Sequence, residues 1–200
     1  EVKTYKRELS DFSEFNRQID VSKSSTIFKK WKKDPTQFKV YHHTYGEERK
    51  KWTVIPFEEI IEKIKGFTER YLIGDFGCGE AFLYKEFGNR VTSIDMVAVG
   101  PEVSVADLSD VSQHVKNEGL DVVVFSLSLM CDKRSWPKYI KEANRCLPKN
   151  GLMFVVVPTE QLKRPRLSNL REVIIENGFQ IDQDVQKGEP SFTFIDARKV

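Results

Sequence analysis

Residues 71–81, Tyr-Leu-Ile-Gly-Asp-Phe-Gly-Cys-Gly-Glu-Ala, constrain this chain more than any other stretch. The apolar run Tyr71–Ile73 reads as a buried strand, and Ala81-Phe82-Leu83-Tyr84 as the start of a helix. Between them stand Asp75 and two glycines, Gly77 and Gly79. Glycine lets the backbone turn sharply and approach a ligand with no Cβ in the way. A helix beginning just beyond such a turn offers free N–H groups to that ligand. The spacing is G-x-G without the third glycine of the dinucleotide fingerprint, and no G-x-x-x-x-G-K-S/T occurs, so a P-loop is not supported.

The segments that follow fall at the distances a doubly wound sheet requires. Val91-Thr92-Ser93-Ile94-Asp95 is a second apolar run ending in an acid, 20 residues after Asp75. A carboxylate at the tip of the second strand is placed to accept hydrogen bonds from ribose hydroxyls. A third short strand, Val103-Ser104-Val105, leads to Ala106-Asp107, where a carboxylate can reach an adenine amino group. Leu120–Ser126 is β-branched and apolar on both faces, as a central parallel strand should be. Three acids at successive strand ends behind a G-x-G loop form a nucleoside-binding pattern.

The remaining elements predict an α/β fold with a mostly parallel sheet and helices on both faces. Strands are expected at 71–75, 91–95, 103–105, 120–126 and 151–157, with an antiparallel hairpin of 179–185 and 191–197 after them. That makes seven strands. Trp136 to Leu147 and Leu167 to Asn177 are expected as helices. Ahead of the first strand lies a helical lobe, 1–66, with the ligand-binding domain taking 67–200. Leu9, Phe12, Phe15 and Ile19 suggest one amphipathic helix and Ser22–Lys33 a second. Asp34-Pro35 reads as an N-cap followed by proline at the first helical position. The helix it opens, to about Lys51, carries Phe38, Tyr41, His42 and Tyr45 on one aromatic face, whose plain reading is packing against the next helix. Pro56 starts another helix, ended by Gly66.

Charge is small in total, +2, but uneven: residues 1–52 hold 13 Lys/Arg against 8 Asp/Glu, the remainder 19 against 22. A basic arm on an acidic body is suited to touching phosphates. No apolar run approaches the ~18 residues of a membrane span. Three widely spaced cysteines, Cys78, Cys131 and Cys146, fit a reducing, intracellular compartment and neither a disulfide framework nor a metal site. The chain opens on Glu1 rather than Met, which leaves room for targeting signals or a further domain ahead of it.

Several strings are more specific than the loop. They are Trp31-Lys-Lys-Asp-Pro-Thr-Gln-Phe, Tyr41-His42, Lys50-Lys51-Trp52, Asp75-Phe76-Gly77-Cys78-Gly79, Phe125-Ser-Leu-Ser-Leu-Met130 and Lys141-Glu-Ala-Asn-Arg-Cys-Leu-Pro-Lys-Asn-Gly151. Over roughly residues 25–200 the chain resembles the methyltransferase domain of the ribosomal-RNA-processing protein 8 (nucleomethylin) family. The resemblance implies a Rossmann-like class I fold and S-adenosylmethionine as cofactor, with S-adenosylhomocysteine as product. It also implies methylation of N1 of an adenosine in large-subunit ribosomal RNA, RNA as partner, and a nucleolar or nuclear place in a eukaryote, cytoplasmic otherwise. On that match the cofactor-binding residues are His42, Asp75, Gly77, Gly79, Asp95, Asp107 with Leu108, and Ser126; no catalytic residue is assigned. Two segments depart from the family pattern, Cys131-Asp132-Lys133-Arg134 and Val157-Pro158-Thr159-Glu160, both on the expected acceptor side.

Amino-group methylation goes with an Asn/Asp-Pro-Pro-aromatic motif after the fourth strand, and Ser128-Leu129-Met130-Cys131 stands there instead. Cys131 is a candidate nucleophile toward a pyrimidine ring, with an incidental buried thiol as the alternative. Lys133, Arg134, Lys163, Arg164 and Arg166 are candidate RNA contacts on acceptor-side loops, with a solvated loop as the alternative. Two other functions share the fold: a methyltransferase with a small-molecule or protein acceptor, and a non-catalytic cofactor-binding module.

Overall fold

The computed structural model describes residues 16–200; Leu9, Phe12 and Phe15 lie outside them. Residues 16–20 are helical and lead into α1 (Ser24–Lys33), α2 (Thr36–Arg49) and α3 (Pro56–Lys65). The alternating part runs β1 (Ile73–Phe76), α4 (Phe82–Phe87), β2 (Val91–Asp95), β3 (Val103–Val105), β4 (Val122–Ser126), α5 (Trp136–Cys146), β5 (Leu152–Pro158), α6 (Leu170–Glu176), β6 (Phe179–Lys187) and β7 (Phe192–Lys199). One sheet takes all seven strands in the order β3-β2-β1-β4-β5-β7-β6. The first five strands are parallel, and β7 inserts antiparallel between β5 and β6.

The burial pattern explains the strand sequences. Every residue of β1 and the first four of β4 are buried, because helices cover both faces of the sheet. One face packs Phe76, Val123, Phe125 and Val155 against Tyr139, Ile140 and Ala143 of α5 and Ile174 of α6. The other packs Ile73, Val122, Val124 and Phe154 against Ile60 and Ile64 of α3 and Leu83 of α4. A third cluster joins Ile19, Ile27, Trp31 and Phe38 of the N-terminal lobe to Met96, Val97 and Cys131, behind β2 and β4. These described N-terminal helices thus pack against residues just beyond the carboxyl ends of β2 and β4.

Most elements shift by a few residues at most from expectation, and three of these shifts have local reasons. β1 starts two residues late because Leu72, 47% exposed, gives its N–H to the Asp121 carboxylate. Asp34 does accept the Thr36 N–H at 3.0 Å, yet Pro35 precedes the first helical residue of α2 instead of being it. The final helix begins at Leu170 rather than Leu167, because Thr159–Lys163 forms a 3-10 turn and the chain stays irregular from Arg164 to Asn169.

Candidate active site

Strand order reverses between β1 and β4, and a cavity opens at their carboxyl ends, where such sheets bind ligands. It measures about 900 Å³ out to its solvent mouth. Its floor is Asp75, Gly77 and Gly79 from the first loop, Asp95 and Met96 from the end of β2, and Ser126–Ser128 from the end of β4.

Both loop glycines are there for space and conformation. Gly77 has φ +80 and Gly79 φ +52, in the left-handed region. A Cβ on Gly77 would stand 2.3 Å from Ser128 Cβ, and one on Gly79 2.6 Å from His42 Cε1. Hydrogen bonds fix the loop. The N–H groups of Gly77 and Cys78 both donate to Ile94 O, at 2.8 and 3.1 Å. Ser128 Oγ donates to Phe76 O at 2.5 Å.

The acids form a dry floor. Asp95 accepts from Gly79 N–H at 2.8 Å and Met96 N–H at 2.6 Å. Those bonds favour the carboxylate, but burial outweighs them and pushes Asp95 up to about 6. Asp75 is pushed up to about 7, first by burial and then by the charge of Asp95. Hydroxyl or amine donors from a ligand would restore the charge of such acids, so this floor suits a ribose or an ammonium group.

Helix α2 supplies the opposite wall. Phe38, Tyr41, His42 and Tyr45 all line the cavity, so the aromatic face expected to pack on the next helix borders a ligand space. His42 packs on Phe38 with ring centroids 4.3 Å apart. Burial first, and then the neighbouring Arg49 cation, hold His42 down to about 4, so its ring is neutral at pH 7. Its Nδ1 is buried with no hydrogen-bond partner among the described residues. Phe57 and Phe82 stack at 4.1 Å beside it, with the Arg49 guanidinium 4.7 Å over Phe82.

Of the expected cofactor residues, His42, Asp75, Gly77, Gly79, Asp95, Leu108 and Ser126 converge on this cavity. Asp107 does not line it. Its carboxylate accepts the Ser24 hydroxyl of α1 and the Ser109 N–H, the latter at 3.0 Å. Phe57, Phe82 and Met96 carried no sequence signal; each is an apolar residue whose role appears only when distant elements meet.

A second cavity, about 700 Å³ counted out to open solvent, shares Tyr41, Tyr45, Leu127 and Met130 with the first. Asp20, Trp52, Gln161, Arg166 and Phe192 close its other sides. Lys133, Arg134, Lys163 and Arg164 are exposed on nearby loops. Arg134 pairs with Asp132 at 3.2 Å and Lys163 with Glu160 at 2.6 Å. Arg166 is placed differently: it donates inward to Leu129 O at 2.7 Å, Cys131 O at 3.3 Å and Gln161 Oε1 at 2.6 Å, and pairs with Asp20 at 3.2 Å. Cys131 is fully buried, and burial pushes its thiol up to about 11, the opposite of an activated nucleophile. All three cysteines are free. Among the described residues no cluster of His, Cys, Asp or Glu could hold a metal, and no helix is long and apolar enough to cross a membrane.

Strand order, reversal point and a glycine–acid cavity together define a Rossmann-like methyltransferase fold. A family profile described as "hypothetical methyltransferase" matches residues 2–200, and the chain belongs to that family. Ribosomal RNA-processing protein 8 of Arabidopsis thaliana is 32% identical over 144 residues, covering 72% of this chain and 49% of that protein. The 25S rRNA (adenine(645)-N(1))-methyltransferase of Schizosaccharomyces pombe is 27% identical over 203 residues, covering 96% and 62%. The likeness to the ribosomal-RNA-processing protein 8 family read from the sequence strings is thereby borne out. The chain spans about half the length of the Arabidopsis relative. Among solved structures, a SAM-dependent methyltransferase of Methanosarcina mazei superposes with a TM-score of 0.58 at 19% identity, covering 74% of this chain and 98% of that one. A Burkholderia thailandensis 1,6-didemethyltoxoflavin-N1-methyltransferase, solved with S-adenosylhomocysteine, gives 0.56 at 17% identity, covering 72% and 77%.

Proposed function

We propose that this chain is the catalytic unit of an S-adenosylmethionine-dependent RNA methyltransferase acting on N1 of an adenosine in large-subunit ribosomal RNA. The observation that carries the reading is the cavity built by Gly77, Gly79, Asp75, Asp95 and His42. Its cradle leaves no room for a Cβ at either glycine, and its buried acids are placed for hydroxyl and ammonium donors. When bound, S-adenosylmethionine supplies an electrophilic sulfonium methyl group.

Each residue then has a task. Gly77 and Gly79 allow close backbone approach, and Asp95 takes ribose hydroxyls through oxygens already oriented by Gly79 and Met96. Asp75 offers negative charge to the amino-acid end, and neutral His42 a buried ring nitrogen with no partner among the described residues. Leu108 flanks the adenine, while Asp107 would exchange its Ser24 hydroxyl for the adenine amino group. Ser126 lines the floor at the end of β4. Adenine N1 has a free lone pair, so the protein supplies position and a dry, charged pocket rather than a strong base. The relative from S. pombe, whose name specifies adenine N1, supports that choice of acceptor atom. Residues 1–66 act as a lobe over residues 67–200, and exposed Lys133, Arg134, Lys163 and Arg164 meet RNA phosphates. The place of action that follows is the nucleolus in a eukaryote and the cytoplasm otherwise.

Calorimetric titration with S-adenosylmethionine and S-adenosylhomocysteine, on wild type and Asp95→Ala, tests the cofactor. Mass spectrometry of nucleosides from incubated large-subunit ribosomal RNA tests the product. Binding lost in the variant, together with 1-methyladenosine formed by the wild type, is expected. No binding by the wild type would sink the reading.

A further inference from the structure

Asp20 is the one carboxylate among the described residues that line the second cavity, whose walls mix four aromatic rings with aliphatic side chains and the Arg166 guanidinium. It ends the helical segment 16–20, its side chain is 19% exposed, and its Oδ1 lies 3.2 Å from Arg166 Nε. Arg166 does not depend on Asp20 for its position, because two backbone carbonyls and the Gln161 amide already hold the guanidinium. Around this pair stand Tyr41, Tyr45, Trp52 and Phe192. Trp52 lies 4.8 Å from Phe192 and 5.6 Å from Tyr45 between ring centroids. Aromatic rings beside a fixed carboxylate–guanidinium pair suit an unstacked nucleobase, which can stack on the rings and hydrogen-bond to the pair. The second cavity adjoins the first, with Tyr41, Tyr45, Leu127 and Met130 lining both.

We infer that the second cavity takes the acceptor adenine and that Asp20 is a specificity-determining residue there, holding the exocyclic amino group and the positive charge that N1 methylation leaves on the ring. This rests on the adenine-N1 reading above. In that reaction the N1 lone pair forms the new bond to the methyl carbon. The sulfur–carbon bond breaks with its electron pair left on sulfur. No proton departs, so the positive charge passes from sulfur to the base, where it spreads over the ring and the amino nitrogen. A carboxylate fixed beside that nitrogen gains interaction energy as the charge arrives, and in a desolvated pocket the gain is larger than in water. Burial raises the Asp20 pKa above the ordinary carboxylate value, and the Arg166 and Arg164 charges oppose that rise without cancelling it. A cationic base arriving beside the carboxylate would favour its ionised form further. A guanine or hypoxanthine would present an oxygen where adenine presents the amino group, and two acceptors would then face each other.

The probe is a short oligouridine RNA with either adenosine or 1-methyladenosine at its centre, bound in saturating S-adenosylhomocysteine. The wild type is expected to hold the 1-methyladenosine RNA about tenfold more tightly, the scale of one charge-assisted hydrogen bond. Asp20→Asn is expected to lose that preference while keeping its affinity for S-adenosylhomocysteine. Equal affinity of the wild type for the two RNAs overturns the inference, as does a preference that survives in Asp20→Asn. The wild-type comparison decides even if the variant fails to fold. Absence of 1-methyladenosine in ribosomal RNA treated with the wild type would remove the functional reading instead, a separate readout from the binding preference.

Discussion

Gly79 and His42 occupy one shared space: a Cβ on the glycine would stand 2.6 Å from the imidazole Cε1. Gly79→Ala therefore meets both a collision and a left-handed φ of +52, the latter alone costing about 1 kcal/mol. The variant should melt at lower temperature and bind S-adenosylmethionine at least about tenfold more weakly. Adding His42→Ala should restore part of the stability, a non-additivity read by a double-mutant cycle. Additive losses would show that the two residues do not compete for the space.

Asp75 predicts a stability that depends on pH. Its ordinary value of 3.8 rises to about 7 in the fold, so between those values the folded chain holds the proton that the unfolded chain releases. Stability therefore falls as pH rises through that window. Asp95, raised to about 6, acts in the same direction. His42, lowered to about 4, acts in the opposite one, adding stability as pH rises toward 6.5. Asp75→Asn removes the Asp75 contribution alone. Urea denaturation should show the variant gaining on the wild type between about pH 4 and pH 7; parallel curves would contradict the assignment.

Cys131 should be dispensable for chemistry. It is fully buried with its thiol pushed up to about 11. Cys131→Ala is expected to methylate RNA within a few-fold of wild type, and native protein should resist iodoacetamide at this position. A rate loss beyond about a hundredfold, with folding intact, would restore the covalent alternative.

Arg166 and Arg164 should separate by stability despite their proximity. Arg166→Ala leaves the Leu129 and Cys131 carbonyls and the Asp20 carboxylate without their donor, at a cost of about 3 kcal/mol. Arg164→Ala, on the exposed turn, should stay within about 0.5 kcal/mol of wild type. Equal losses would mean that the inward hydrogen bonds contribute little.

The exposed cations carry the phosphate prediction. Lys133→Ala, Lys163→Ala and Arg164→Ala together should weaken RNA binding and flatten the dependence of log K on log salt by about 0.7 per contact removed, the value for single strands. An unchanged slope would place the RNA elsewhere on the surface.

The sheet was legible because its signals are local: alternating apolar runs, a glycine pair and acids at strand ends. Asp95 and the G-x-G loop stand where the spacing put them. The aromatic face of α2 was legible as a face but not as a ligand wall, since periodicity records which residues point together and not what they point at. Asp107 looked like a cavity acid until Ser24, 83 positions away, proved to occupy its oxygen. Arg166 resembled its loop neighbours in every respect visible in one dimension. Its inward path depends on Leu129, Cys131, Gln161 and Asp20 arriving from three separate segments.

That four-way attachment bears on how such an enzyme can diversify. The N-terminal segment, the loop after β4 and the turn after β5 are tied to one guanidinium, so lengthening any of them would strain the other two. Surface loops ordinarily tolerate insertion, but on this flank the shared guanidinium opposes it. Descendants with altered tastes would have to change the side chains lining the second cavity while keeping the backbone around it as found.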